Sequence, residues 1–203
     1  YGYSRVLSSM GTRVTGYPGN IEAAKYIESV LRSDGIEVVN QSFTTAMPID
    51  TGSWVSYGSK NFTLYALWPN GPVPGGTPTY VSGPLVYVGN GSLDDMNGKK
   101  INGSIVLENY NSRYNWLYAA DLGAKAIIFL APNSTNEVQT LEKTVPDPLY
   151  MPRLYAEGPA ASALLSIANK GITVKVHDGM KWENVTAYNI IGIVNGTQSH
   201  NIV

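Results

Sequence analysis

KINGSIVLENYNSRYNWLYAADLGAKAIIFLA, residues 100–131, decides the fold. Ile105–Leu107 is a short aliphatic run entered through the turn dipeptide Asn102-Gly103. Ala126–Leu130 is a second such run, closed by Pro132. Both are short, largely β-branched and bounded by breakers, as buried strands are. Between them Tyr114–Leu122 reads as a helix. Trp116, Leu117, Ala120 and Ala124 fall on one face, and Gly123 stands at the expected stop. Strand, helix and strand at this spacing predict a parallel βαβ unit with a right-handed crossover. The unit carries no phosphate loop, metal cluster or nucleophile, so chemistry must be sought around it.

Working outward toward the N-terminus, Ser4–Gly16 is a polar lead and Gly16-Tyr17-Pro18-Gly19 a turn. Asn20 is the expected cap of a helix reaching Ser33, with Ile21, Ala24, Ile27 and Leu31 as its apolar stripe and Gly35 as its end. Ile36–Thr45 reads as a strand. Ser53–Ser59 and Phe62–Trp68 read as a hairpin, Pro69–Pro78 as a loop, and Leu85–Val88 as a strand leading into a polar loop, Gly89–Lys100. Beyond the central unit, 133–150 is loop-like and Pro152–Tyr155 a short strand. A helix opens at Pro159, buries Ala161, Leu164, Leu165 and Ala168, and ends at Gly171. Ile172–Val176, Tyr188–Val194 and His200–Val203 complete the expected strands. The chain begins at Tyr1 without a visible leader and stops inside an apolar run, which points to a processed or truncated chain.

Composition narrows the function. A chain of 203 residues suffices for one large domain or a domain plus pieces of another. A net charge of −1 argues against a nucleic-acid partner. No apolar run reaches the ~18 residues of a membrane span. Cysteine is absent, which excludes disulfides and thiolate metal sites. Charged residues are only 14% of the chain. Asn-x-Ser/Thr triplets occur at Asn40, Asn61, Asn90, Asn102, Asn133, Asn184 and Asn195, against the roughly two to three that chance pairing gives. The excess points to an extracellular or cell-surface protein, although Asn90, Asn102 and Asn195 precede Gly and also suit turns. So few carboxylates leave few groups whose protonation could unfold the chain, so acid tolerance is expected.

Individual motifs carry little chemistry. His177 and His200 are the two histidines, too few for a two-metal site, and ordinary surface roles are expected for both. Asp94-Asp95 fails calcium-loop spacing because Lys99 stands where a ligand belongs; a turn with a solvated acid pair fits better. Gly89-Asn90-Gly91 lacks the rest of a dinucleotide fingerprint, and no Gly-x-Ser-x-Gly elbow exists. Arg113 lies at the end of a buried strand, where parallel sheets often meet ligands, and its planar fork suits a carboxylate. A solvated loop arginine is the plain alternative. Tyr110, Asn111, Tyr114 and Asn115 stand beside it and would form a rim.

GPLVYVGNGSLDDMNGKKINGSIVLENYNSRYNWLYAADLGAKAIIFLAPN (83–133) and MPRLYAEGPAASALLSIANKGITVKV (151–176) together resemble a protease-associated domain. Gly11-Thr12-Arg13-Val14-Thr15-Gly16 with the following helix and strand resembles the start of the secreted two-zinc aminopeptidases and glutamate carboxypeptidases. The resemblance implies an α/β, three-layer β/β/α swivelling domain, with a parallel central sheet and an outer antiparallel sheet. It implies residues 1–47 as an N-terminal peptidase flank, 48–181 as the protease-associated domain and 182–203 as return strands, with 36–43 and 188–194 side by side. The implied role is non-catalytic: covering the active-site cleft of a zinc exopeptidase and helping to select peptides. In glutamate carboxypeptidase relatives an arginine near Arg113 reaches the substrate.

The parent would be a hydrolase carrying two zinc ions, with no metal ligand, catalytic residue or cofactor in this chain. Its partners would be the peptidase domain of the same chain, peptide substrate and, in the full-length protein, a second copy. The alternatives are a peptide- or protein-binding module of a receptor-like protein without peptidase activity, as in transferrin-receptor-like architectures, and a stand-alone swivelling carrier domain.

Overall fold

The computed structural model describes residues 1–71 and 79–196. Its elements are α1 (Gly2–Ser8), α2 (Pro18–Ser33), β1 (Glu37–Asp50), β2 (Ser53–Tyr57), β3 (Lys60–Ala66), β4 (Thr79–Tyr87), α3 (Leu93–Met96), β5 (Ile105–Asn109), α4 (Trp116–Asp121), β6 (Ala126–Leu130), α5 (Glu137–Leu141), β7 (Arg153–Ala156), α6 (Gly158–Ile167), β8 (Thr173–Asp178) and β9 (Met180–Ile193). Part of the expected Pro69–Pro78 loop and the whole expected strand 200–203 lie outside the described residues. Two compact units form, one from Tyr1–Ile49 and the described residues from Glu183 on, the other from Asp50–Trp182.

In the first unit β1 and β9 pair as a two-stranded sheet, so 36–43 and 188–194 lie on neighbouring strands as expected. Both strands run longer than their apolar cores. The polar lead is partly helical: α1 has no side-chain cap bond and buries nothing, so no pattern marks it. Helix α2 begins at Pro18, the favoured first position, and not behind an Asn20 cap; the Asn20 amide donates to the Arg13 carbonyl instead. Its buried residues are Gly19 and Ala23, while Ile21 and Ile27 stay exposed. Gly19 is required there, because a Cβ would lie 2.1 Å from the Met10 carbonyl oxygen.

The second unit is a mixed α/β closed barrel in the order β2-β3-β7-β6-β5-β4-β8. The expected βαβ unit stands at its centre, with β4, β5, β6 and β7 parallel in sequence and Ile105 in register with Leu85 and Ala126. The other pairings are antiparallel, including the β2–β3 hairpin. Parallel and antiparallel strands form one continuous sheet because β4 is long enough to serve both. Its residues 79–84 pair with β8 and 85–87 with β5, while β3 joins β2 to β7.

Alternation along the strands builds two cores. Ile105, Leu107, Ile128, Leu130, Leu154, Val174 and Val176 gather in one, closed by Ala160, Leu164 and Ala168 from α6 and the residues after it. Val86, Val106, Ile127 and Phe129 face the other way and pack under Trp116 and Ala119 of α4. Ala119, not the expected Ala120, makes that contact. Leu165 is 47% exposed, whereas Ala160 is buried. The left-handed stop of α6 falls at Asn169 (φ 61°) before Gly171, and the Asn169 side chain accepts from the Tyr87 amide. His177 is not a surface residue; it stacks on Tyr80 at 4.3 Å beside Trp54. Among the described residues no helix is long and apolar enough to cross a membrane.

Candidate functional site

Strand β5 carries apolar residues on both faces until Glu108, then delivers the loop 110–115 before α4 starts. Arg113 and the four residues expected to form a rim beside it occupy different places. Tyr110 is buried, edge-on to Phe129 and Tyr155. Asn111 is exposed and ties the loop to the next one, donating to Ser134 O and accepting from Thr135 Oγ1. Asn115 donates to Asn90 O. Tyr114 is exposed. Arg113 is exposed at the loop's crest with a left-handed backbone, φ 54°, which few non-glycine residues adopt. Next to the loop, at the carboxyl ends of β5 and β6, lies an open groove of about 370 Å³ lined by Asn109, Tyr110, Asn111, Leu130, Pro132 and Leu165.

The segment after α5 supplies what holds this loop. Glu142 accepts from Arg113 Nε and Nη2, at 2.9 Å for the latter, and its backbone carbonyl accepts from Trp116 Nε1. Lys143 is almost fully buried above the rings of Tyr110 and Phe129, and its ammonium donates to Ser112 Oγ and Arg113 O. Arg153 lies over the Trp116 ring and donates to the backbone carbonyls of Lys143 and Trp68. Burial pushes Lys143 down to about 8 and Arg153 down to about 10.

Below the loop sits Glu108, fully buried, with neither carboxylate oxygen hydrogen-bonded among the described residues. Gly91 closes over it; a Cβ at Gly91 would lie 2.5 Å from the Glu108 carboxyl carbon. Burial raises the Glu108 pKa to about 7, and Ser112 and the Lys143 ammonium pull it back only in part.

Glu108, Glu142 and Lys143 escaped the sequence reading. Glu108 had a signal, an acid continuing an otherwise apolar strand. Glu142 and Lys143 had none, since they lie in a stretch that reads as loop. The polar loop 89–100 contains α3, whose Ser92 and Asp95 form a reciprocal capping box, so Asp95 is a cap rather than a ligand. Asn40, Asn61, Asn90, Asn102, Asn133, Asn184 and Asn195 are all exposed. Among the described residues no three His, Cys, Asp or Glu side chains converge to hold a metal ion, and His177 is packed between aromatic rings.

No family model and no curated protein sequence matches the chain. Solved structures do. It is similar to an aminopeptidase from Aneurinibacillus sp. strain AM-1, at 24% identity over 100% of this chain and 49% of that one, TM-score 0.51. It is similar to a zinc aminopeptidase from Bacillus subtilis, at 21% identity over 97% of this chain and 46% of that one, TM-score 0.64. It is also similar to a peptidase M28 precursor from Shewanella amazonensis SB2B, at 16% identity over 94% and 49%, TM-score 0.55. These likenesses establish a shared fold, and the chain spans about half the length of each of those proteins.

Proposed function

We propose that the unit Asp50–Trp182 is a protease-associated domain of a secreted or cell-surface zinc exopeptidase, and that the flanking unit is part of its peptidase domain. The observation that carries this reading is the fold likeness to a zinc aminopeptidase over 97% of the chain. The barrel suits the three-layer swivelling description: one wall is parallel, the other antiparallel, and α4 lies outside the parallel wall. Seven exposed acceptor asparagines support an extracellular setting. In this reading the parent carries the zinc ions, as the Bacillus subtilis neighbour is a zinc aminopeptidase.

The domain acts as a lid. It excludes water from the cleft and orients the peptide, while supplying neither nucleophile nor base. Arg113 contacts the substrate, with Asn111, Tyr114 and Asn115 shaping the rim and Tyr110 beneath supporting it. The test is Arg113→Ala in the full-length protein. KM for peptides should rise several-fold with kcat little changed, as when binding common to ground and transition states is lost. An unchanged KM refutes the contact. A full-length protein that binds no zinc and hydrolyses no peptide is instead a binding module.

A further inference from the structure

Arg113 is held from three directions by one short segment. Its backbone N–H donates to Gln139 Oε1 at 3.0 Å. Its guanidinium donates through Nε and Nη2 to Glu142, a carboxylate only 7% exposed. Its backbone carbonyl accepts from Lys143 Nζ at 2.6 Å. Donor, acceptor and side chain are thus each fixed by a different residue within 139–143. The backbone so fixed is left-handed, a conformation that a non-glycine residue keeps only where its surroundings over-determine it.

The segment is anchored in turn. Asn136 caps α5 by accepting from the Gln139 amide, the Trp116 indole holds the Glu142 carbonyl, and Arg153 holds the Lys143 carbonyl. The result is an exposed guanidinium on a stiff mount. Among the described residues its hydrogen bonds leave Nη1 unpaired, and the groove lined by Tyr110 and Asn111 opens beside the same loop.

We infer that Gln139, Glu142 and Lys143 are positioning residues that preorganise Arg113 to receive a peptide carboxylate on its outer edge. The inference rests on the proposed substrate contact of Arg113. Glu142 fixes the inner edge of the fork and orients it. A guanidinium ordered before binding loses less rotamer entropy when the ligand arrives, so the mount acts on affinity without touching the ligand.

The experiment uses the 203-residue chain and nitrogen NMR of the Arg113 Nε–H, with three probes. Gly-Gln offers a C-terminal carboxylate, Gly-Glu-amide a side-chain carboxylate, and Gly-Gln-amide neither. The expected result is an ordered Arg113 Nε–H in the free chain. One or both acids should shift it, the neutral amide should not, and the acid that acts identifies the source of the carboxylate. Glu142→Gln should leave the backbone amide spectrum folded, mobilise the Nε–H and weaken binding about five- to tenfold. Glu142→Asp should restore much of both, and Gln139→Ala should reproduce part of the loss.

If the acids bind the parent chain but Glu142→Gln and Gln139→Ala bind as well and stay as ordered, the positioning role is overturned while the contact role survives. If neither acid shifts Arg113 in the parent chain, the contact role falls and takes the inference with it.

Discussion

Glu108→Gln tests the electrostatics beneath the loop most directly. The carboxyl group is fully buried, and its pKa lies at about 7 against an ordinary 4.5. A raised pKa means that the folded protein holds this proton more tightly than the unfolded chain does. The corresponding stability is complete below about pH 4.5 and is lost as pH rises through 7. At roughly 1.4 kcal/mol per pH unit, the gap from 4.5 to 7 corresponds to about 3 kcal/mol. Asp178, also raised by burial, adds a slope of the same sign. Lys143, pushed down by burial to about 8, titrates only from the top of this range upward and with the opposite sign, so the slope is read below pH 7.

Glutamine keeps the shape and cannot ionise. Urea unfolding of the parent chain from pH 4.5 to 8 should therefore show stability falling with pH, and the variant should lose most of that fall. By pH 8 the variant should be the more stable of the two, by something under about 3 kcal/mol, since the Lys143 ammonium loses an attractive neighbour. Parallel pH profiles for the two proteins would refute the assignment of a neutral, buried Glu108.

Three further outcomes follow from the packing. Gly91→Ala places a Cβ against the Glu108 carboxylate at a residue with φ 72°, so thermal melting should report a loss of about 1–3 kcal/mol. Trp116→Phe removes the indole donor to the Glu142 carbonyl in a buried site, with an expected cost of about 1–3 kcal/mol in denaturant unfolding. Leu164→Ala should cost about 2–5 kcal/mol, because Leu164 is fully buried in the barrel core. Leu165→Ala, one residue on at a largely exposed position, should stay within about 0.5 kcal/mol of the parent; a loss comparable to Leu164→Ala would contradict the orientation of α6.

The βαβ centre was readable because its signals are local: two apolar runs, a helix between them and breakers at each junction. The pairing of 36–43 with 188–194 was readable only through the family resemblance, since no local signal joins residues so far apart. Barrel closure was not readable, for it depends on β4 extending to Thr79 and sharing its edges between β8 and β5. Helix α3 was missed although Ser92 and Asp95 stand at capping-box spacing, because the Gly-rich surroundings read as loop. The site divides the same way. Arg113 could be found by its place after a buried strand. Its three holders could not, because their roles depend on 139–143 folding back onto 112–113 across some thirty residues of chain.

Residues Thr51 and Gly179 sit at the two ends of the barrel unit, and the Thr51 amide and hydroxyl both donate to the Gly179 carbonyl. The unit's beginning and end are therefore one hydrogen bond apart. To any polypeptide that hosts it, the whole barrel presents the geometry of a tight turn. The entropy of closing a long loop is met inside the folded unit and not charged to the host.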